Sequence, residues 1–433
     1  MELISSYGVE ILGMNRIFEP TVKIFREALA FCITALENEW ENIKTIESAK
    51  SRFNYCEHLL HNTEKNKAKY NFDARFYKMP CYFRRAVIQS ALGALESYHS
   101  NLENWELTNK GKKPRLQADR FAAPCFYKGN MYLHEDGDDY CYLKLYINND
   151  WIYVQVRLKH TDLQYLRKYW DHLTPSAPIL EKRHGKYFLR FAFEEKMILN
   201  NTEVYDQTVC SVDLGLNTDA VCSILKYDGT VLARKFINFA SEKDQLYRAL
   251  NRIKRFQRKH SSQNVGGFWA YTRRLNDELA RKVANAITEF AAINGCDVIV
   301  FEHLDMQGKK TKGSKKQRLH MWKRNMIQDL VTHKAHRLGI RISHICPWGT
   351  SALAFDGSGK LARDESNHAL ATFANGKRYN CDLSASYNIG ARYFIREIFK
   401  TLPVTVRSQL EAKVPEAGRR TSCTYATLCS VAT

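Results

Sequence analysis

Cys210-Ser211-Val212-Asp213-Leu214-Gly215-Leu216 sets an acid at the end of a short apolar run. The run suits a buried strand, and the glycine after it lets backbone and ligand approach closely. Val298-Ile299-Val300-Phe301-Glu302-His303-Leu304 delivers Glu302 in the same way. Asn380-Cys381-Asp382-Leu383-Ser384-Ala385-Ser386-Tyr387-Asn388-Ile389 places Asp382 just ahead of a helix expected from about Leu383. Taken singly, each acid reads as a turn former or helix cap. If the three strand and helix ends converge, repulsion between the carboxylates is relieved by a divalent cation. Paired cations serve phosphodiester hydrolysis: one activates water, the other stabilises the leaving 3′ oxygen. Asp213, Glu302 and Asp382 are thus the expected catalytic residues and metal ligands. Mg²⁺ (or Mn²⁺) is the expected cofactor, because a hard cation takes oxygen ligands and keeps waters for substrate.

The chain has 433 residues, enough for two or three domains. Its 12% aromatic content excludes a disordered chain. Lys and Arg number 65 against 46 acids, a net charge of +19, with pI about 9.3. The excess is clustered, which favours a polyanionic partner. No apolar run approaches the roughly 20 residues of a membrane span. Met1-Glu2-Leu3-Ile4-Ser5 has none of the marks of a signal peptide, so a cytoplasmic location is expected. The twelve cysteines form no C-x-x-C pair and are expected to be reduced, mostly as small buried hydrophobes.

Helical spacing dominates 19–106, as in Val22 to Cys32 and Ala86 to Leu95. Arg75-Phe76-Tyr77-Lys78 and Tyr82-Phe83-Arg84-Arg85 interleave basic and aromatic residues, suited to phosphates and stacked bases. From Leu107 to Asn200 strands alternate: Cys141, Leu143, Leu145 and Ile147, then a turn at Asn148-Asn149-Asp150, then Ile152, Val154 and Val156. This predicts an antiparallel sheet or small barrel with a helical insertion near its start. From Thr208 the pattern becomes α/β. It comprises a buried strand at 209–214 and a hairpin about Asp228-Gly229. Helices are predicted at 242–260 and 272–294, and strands at 297–301 and 341–346. The tail beyond Thr401 has little periodicity and is expected to be loose.

The order Asp, Glu, Asp resembles a RuvC-type, RNase H-like nuclease core. The surrounding words resemble the TnpB/OrfB family of insertion-sequence proteins, relatives of the compact type V CRISPR effectors. Asp213-Leu214-Gly215 is similar to the family's first motif. Phe301-Glu302-His303-Leu304 is similar to the second, usually Glu-Asp-Leu. Asp382 to Ile389 is similar to the third, with Ala385, Asn388 and Ile389 in place. His303, Ser384 and Ser386 depart from the pattern, and Ser384 is expected to alter activity. The resemblance is close over 208–397 and loose elsewhere.

It implies an RNA-guided DNA endonuclease of a transposable element, with guide RNA and target DNA as partners, acting as monomer or homodimer. The implied domains are a β-barrel wedge (1–18 and 107–203), a helical recognition domain (19–106), a RuvC-like nuclease (204–345 and 381–400) and a zinc-ribbon-like insertion (346–380). An RNA-guided repressor with little cleavage and a strand-transferring transposase are the alternatives.

Family members carry a four-cysteine zinc ribbon introduced by Thr-Ser, matched here by Thr350-Ser351. Aligned onward, the cysteine positions hold Ala354, Gly357, Thr372 and Asn375. His344 and His368 would restore a site only in an unusual geometry. A degenerate insertion without zinc is expected, packed by Phe355, Leu361, Phe373 and Tyr379. Two basic clusters are expected to bind nucleic acid. Lys309, Lys310, Lys312, Lys315, Lys316 and Arg318 follow the second motif. Arg252, Arg255, Arg258 and Lys259 lie on a helix placed to track a heteroduplex.

Overall fold

The computed structural model describes residues 1–13, 15–109, 111–135, 137–259, 265–303, 319–364, 366–367, 369–419 and 421–432. The chain divides into two units, Glu2–Glu195 and Met1 with Lys196–Thr433.

In the first unit, strand β1 (Glu2–Leu12) precedes helices α1 (Glu19–Glu37), α2 (Trp40–Ile43), α3 (Ala49–Leu60), α4 (Phe72–Arg75) and α5 (Cys81–Thr108). Strands β2 (Tyr132–His134), β3 (Tyr140–Ile147) and β4 (Asp150–Leu158), helix α6 (His160–Trp170), and strands β5 (Ile179–Arg183) and β6 (Lys186–Lys196) follow. The sheet order is β2-β3-β4-β1-β6-β5, with β2 and β5 at its ends. Asn148 and Asn149 both take positive φ (49° and 63°), the conformation a tight β3–β4 hairpin demands. The helical span and the sheet share one core. Phe25 of α1 meets Phe83 of α5 edge-on at 5.4 Å, and Phe83 meets Trp151 of β4 at 4.9 Å.

The second unit is α/β, as expected. Strands β7 (Val209–Leu214), β8 (Ala220–Leu225) and β9 (Val231–Ile237) form an antiparallel meander. Helices α7 (Ala240–Lys259) and α8 (Gly266–Ile293) lead to β10 (Val298–Glu302), then α9 (Arg324–Arg337) and β11 (Arg341–Ile345). The sheet order is β11-β10-β7-β8-β9, and β10 runs parallel to both its neighbours. Alternation along buried strands sends side chains into two cores. Cys210, Val212, Ile299 and Phe301 pack on the side of α8 and α9, with Val283, Ile287 and Val331. Val209, Val298 and Val300 pack on the opposite side, with Tyr387, Ile389 and Phe394 of helix α10 (Cys381–Thr401).

Helix α10 lies close on the sheet because Gly390 has no side chain. A Cβ there would stand 2.7 Å from Leu225 Cδ1 and 3.2 Å from Ser211 Oγ. The tail is not loose. It forms α11 (Val404–Lys413) and α12 (Tyr425–Ala432), and buries Cys423 and Leu428 in the α10-side core. Its small residues masked the period: Ala, Ser, Thr and Cys supply little hydrophobic contrast.

Candidate active site

Strand parity assembles the first two acids. Val209 faces α10, so Ser211 and Asp213 do too; Val298 and Val300 face α10, so Glu302 does too. The parallel register pairs Phe301 with Val212, and one step further sets Glu302 beside Asp213. Asp382 enters at the first turn of α10, where the Asn380 carboxamide caps the helix by accepting the Leu383 N–H at 2.9 Å. Gly215 serves the turn itself: a Cβ would stand 2.6 Å from the Thr218 carbonyl oxygen.

Burial, then the charges of Glu302 and Asp382, hold the Asp213 carboxyl well above its ordinary value, against the opposing pull of Arg363. Glu302 is only 8% exposed, and burial raises it as well. The Thr350 hydroxyl, donating to Glu302 Oε1, and the charge of Arg392 oppose that rise. Asp382 is raised by burial and lowered by the Cys381 thiol, which donates at 3.5 Å, and by Arg363. Three carboxyls that resist ionisation together are the electrostatic mark of a cation or substrate-proton site.

The donor set suits Mg²⁺, which binds through one or two carboxylates plus substrate phosphate rather than in a closed protein cage. Among the described residues, no group of three or more His, Cys, Asp or Glu side chains stands close enough to hold a metal ion by itself.

The acids are held by residues whose role the sequence left unread. Asn388 is fully buried on α10. Its Nδ2 donates to the carbonyls of Thr350 and Leu353, each at 3.0 Å, and its Oδ1 accepts the Tyr425 N–H at 3.0 Å. Asn388 therefore fixes the turn whose Thr350 aims Glu302. Buried Arg392 locks the same region by donating to the carbonyls of Cys346, Trp348, Thr421 and Cys423. Arg363, exposed on the strand Ala362–Arg363, donates to the Ser351 carbonyl at 3.1 Å. The Asn in the third motif was the one available signal for this scaffold.

Of the departures, Ser384 is fully buried, and its Oγ accepts the Phe355 N–H at 3.1 Å. Ser386 Oγ pairs with Ser223 Oγ at 2.5 Å. Both are packing groups of α10. His303 is exposed and stands edge-on to His344, with ring centroids 6.4 Å apart.

Within 346–380, strands β12 (Ala362–Arg363), β13 (Leu370–Thr372) and β14 (Arg378–Asn380) make a small antiparallel sheet. Phe355 lies at its centre, with ring centroids 5.6 Å from Phe373, 5.0 Å from Tyr379, 5.3 Å from Tyr387 and 5.8 Å from Tyr425. Leu361 contributes a backbone bond instead, its N–H donating to the Ala352 carbonyl at 2.9 Å. Ala354 is buried, Gly357 turns at φ +78°, and Asn375 Nδ2 donates to Asp356 Oδ2 at 2.8 Å. His368 lies outside the described residues, as do Lys309, Lys310, Lys312, Lys315, Lys316 and Arg318.

On α7, Arg252, Arg255, Arg258 and Lys259 are all exposed. Helical geometry groups Arg248, Arg252, Arg255 and Lys259 within about 60° of arc, and sets Arg258 about a quarter turn aside. Arg248 is exposed too, a member of the stripe that the expected set omitted. The Arg252 guanidinium lies over the Phe268 ring at 4.6 Å from its centroid.

Comparison with known proteins adds the following. The Aq_aa04 family model matches residues 5–147. No curated protein matches the chain. Among solved structures, the mini-RNA-guided endonuclease CRISPR-Cas_phi3 is similar with a TM-score of 0.55 and 12% identity, over 90% of this chain and 92% of that one. CasPhi-2 (Cas12j) bound to crRNA and phosphorothioate-DNA gives 0.49 and 10%, over 89% and 90%. At such identity the likeness to the former is one of fold, spanning nearly the full length of both chains.

Proposed function

We propose that this chain is an RNA-guided DNA endonuclease that hydrolyses phosphodiester bonds at Asp213, Glu302 and Asp382. The observation that carries this reading is the convergence of the three acids on one face of the second unit's sheet, each raised by burial and Asp213 also by its two partners. The shared fold with Cas_phi3, named as an RNA-guided endonuclease, supports the guided character. The sequence motifs support the finer assignment to the TnpB type, carried by a transposable element.

Bound Mg²⁺ would activate the attacking water and neutralise charge at the leaving oxygen. The chain's own groups do the rest. The three carboxylates offer hard oxygens at the ends of β7 and β10 and the start of α10. Thr350 orients Glu302. Arg363, whose charge reaches both Asp213 and Asp382, has an exposed guanidinium suited to a phosphate oxygen. The cationic stripe on α7 follows a nucleic-acid backbone, and base pairing with a guide supplies sequence specificity.

The test is co-purification with RNA from the native locus, sequencing of that RNA, and plasmid cleavage with Mg²⁺. A discrete RNA whose variable end directs cutting, lost in Asp213→Ala while guided binding persists, is the expected result. Bound RNA with target binding and no cutting would replace the nuclease by a repressor. Absence of bound RNA would remove the guided reading.

A further inference from the structure

The outward face of β3 and β4 in the first unit takes no part in the reading above. Alternation buries Cys141, Leu143 and Leu145, and turns Tyr140, Tyr142 and Lys144 outward. The register places Tyr140 opposite Arg157, Tyr142 opposite Gln155 and Lys144 opposite Tyr153. The three tyrosines are 39%, 43% and 43% exposed. None of the six positions is acidic. A solvated strand face built only for solubility would carry short polar or mixed-charge residues, not three half-bare rings interleaved with cations.

The rings are held in place. Tyr153 donates its hydroxyl to the Asn130 carbonyl at 2.5 Å, and Gln155 Nε2 donates to the Tyr142 hydroxyl at 3.2 Å. Lys144 Nζ lies 5.3 Å from the Tyr153 ring centroid, and the Arg157 guanidinium 6.0 Å from that of Tyr140. Each cation thus stands beside a flat apolar platform. Tyr142 and Tyr153 are diagonal neighbours, roughly 7–8 Å apart at most, a separation that two splayed bases can span.

We propose that this face binds an unpaired RNA strand, with bases stacked on Tyr142 and Tyr153 and phosphates at Lys144 and Arg157. Stacking on aromatic platforms beside cations is how sheets hold single strands. The Tyr142–Gln155 pair adds a hydroxyl and an amide for the 2′-hydroxyl, which DNA lacks. The proposal requires nothing of the three acids.

The full-length chain, freed of nucleic acid at high salt, is titrated into a mixed-sequence 12-nucleotide fluorescein-labelled RNA. Anisotropy is read across a salt series, and ultraviolet crosslinks are mapped by mass spectrometry. Adducts are expected on Tyr142 or Tyr153 of the wild type, a measurement that needs no variant to fold. Tyr142→Leu with Tyr153→Leu weakens binding about tenfold or more, with the salt slope unchanged, and the two Phe replacements restore most of it, short of the contact made by the Tyr142 hydroxyl. Lys144→Gln with Arg157→Gln lowers the slope by about 1.4. Asp213→Ala leaves all of this intact whatever becomes of cleavage, so the two readings fail separately. Absence of adducts on this sheet, together with unchanged affinity of the Leu pair, would overturn the proposal. Equal binding and crosslinking of the same DNA sequence would overturn the choice of RNA. Displacement by polyglutamate as effective as by unlabelled RNA would replace the strand with an acidic polypeptide.

Discussion

Asn388→Ala removes three hydrogen bonds from one fully buried site. The carbonyls of Thr350 and Leu353 lose a donor, and the Tyr425 N–H loses its acceptor. A buried group stripped of its partner costs about 1–3 kcal/mol, so three together cost about 3–9 kcal/mol. The gain in helix propensity from alanine is a few tenths, too small to offset this. Taking about 4 kcal/mol, and about 2–4 °C per kcal/mol for a unit of this size, the melting temperature falls by about 8–16 °C. Hydrogen exchange locates the damage, because the lost bonds belong to the turn 347–353 and the start of α12. Amides there, Tyr425 above all, should exchange faster while β3 and β4 in the other unit do not change. Asn388→Asp separates the two functions of the side chain. Its carboxylate still accepts from Tyr425 but donates to neither carbonyl, so the turn loosens while α12 stays pinned. A melt within about 3 °C of the wild type, with unaltered exchange at Tyr425, would refute the argument that this residue ties the acid site to the tail.

Thr350→Val keeps the shape and deletes the donor to Glu302. The Glu302 carboxyl then moves further up, so the acid limb of a cleavage pH–rate profile should shift to higher pH; an unmoved limb would remove Thr350 from the site. Asp213 is raised in the folded state, so the folded chain holds its proton more tightly than the unfolded chain does. That lowers stability as pH rises from the ordinary carboxylate value through the raised one. Asp213→Asn should therefore melt higher than the wild type at neutral pH without divalent cation, and should lose the extra stability that Mg²⁺ gives the wild type. Arg363→Ala removes an exposed charge that pulls Asp213 and Asp382 down. Its melting curve should match the wild type while cleavage at pH 7 falls about tenfold or more, consistent with loss of a charge-assisted contact to phosphate. Phe355→Ala deletes a half-buried ring with four aromatic neighbours, at a cost of about 2–3 kcal/mol, and should expose 346–380 to protease. A strong zinc chelator should leave the wild-type insertion resistant; sensitivity equal to that of the variant would return a metal to it.

Much of the second unit was legible because its signals are local. An apolar run ending in an acid is strand and carboxylate at once, and period-two alternation then decides which face the carboxylate takes. The turn at Asn148-Asn149 was legible for the same reason: few residues tolerate positive φ, and Asn is one of them. What stayed hidden depends on contacts remote in sequence. Thr350 read as a marker of the insertion rather than a partner of Glu302, 48 residues away. Arg363 sat in a two-residue strand that no pattern distinguishes. Arg392 looked like one basic residue among many, yet it is buried and donates to four carbonyls. The tail lacked contrast rather than structure, since a helix of small residues buries little area per turn and shows a faint period.

The acid site and the insertion are one mechanical problem. Glu302 emerges from a strand held by its neighbours, but its carboxylate is aimed by Thr350, and Thr350 belongs to the turn that opens the insertion. That turn is clamped from α10 by Asn388 and Arg392, and Asn388 also receives the backbone of α12. Ser384 closes the loop by accepting the Phe355 N–H. An insertion anchored at so many points has its entry fixed by hydrogen bonds. It needs a filled centre, which Phe355 and its four rings supply. Such a scaffold can change how its insertion is held while leaving the carboxylates where they are. The residues that matter are then those that couple the two, Thr350 and Asn388, and not the positions where the cysteines of a ribbon would stand.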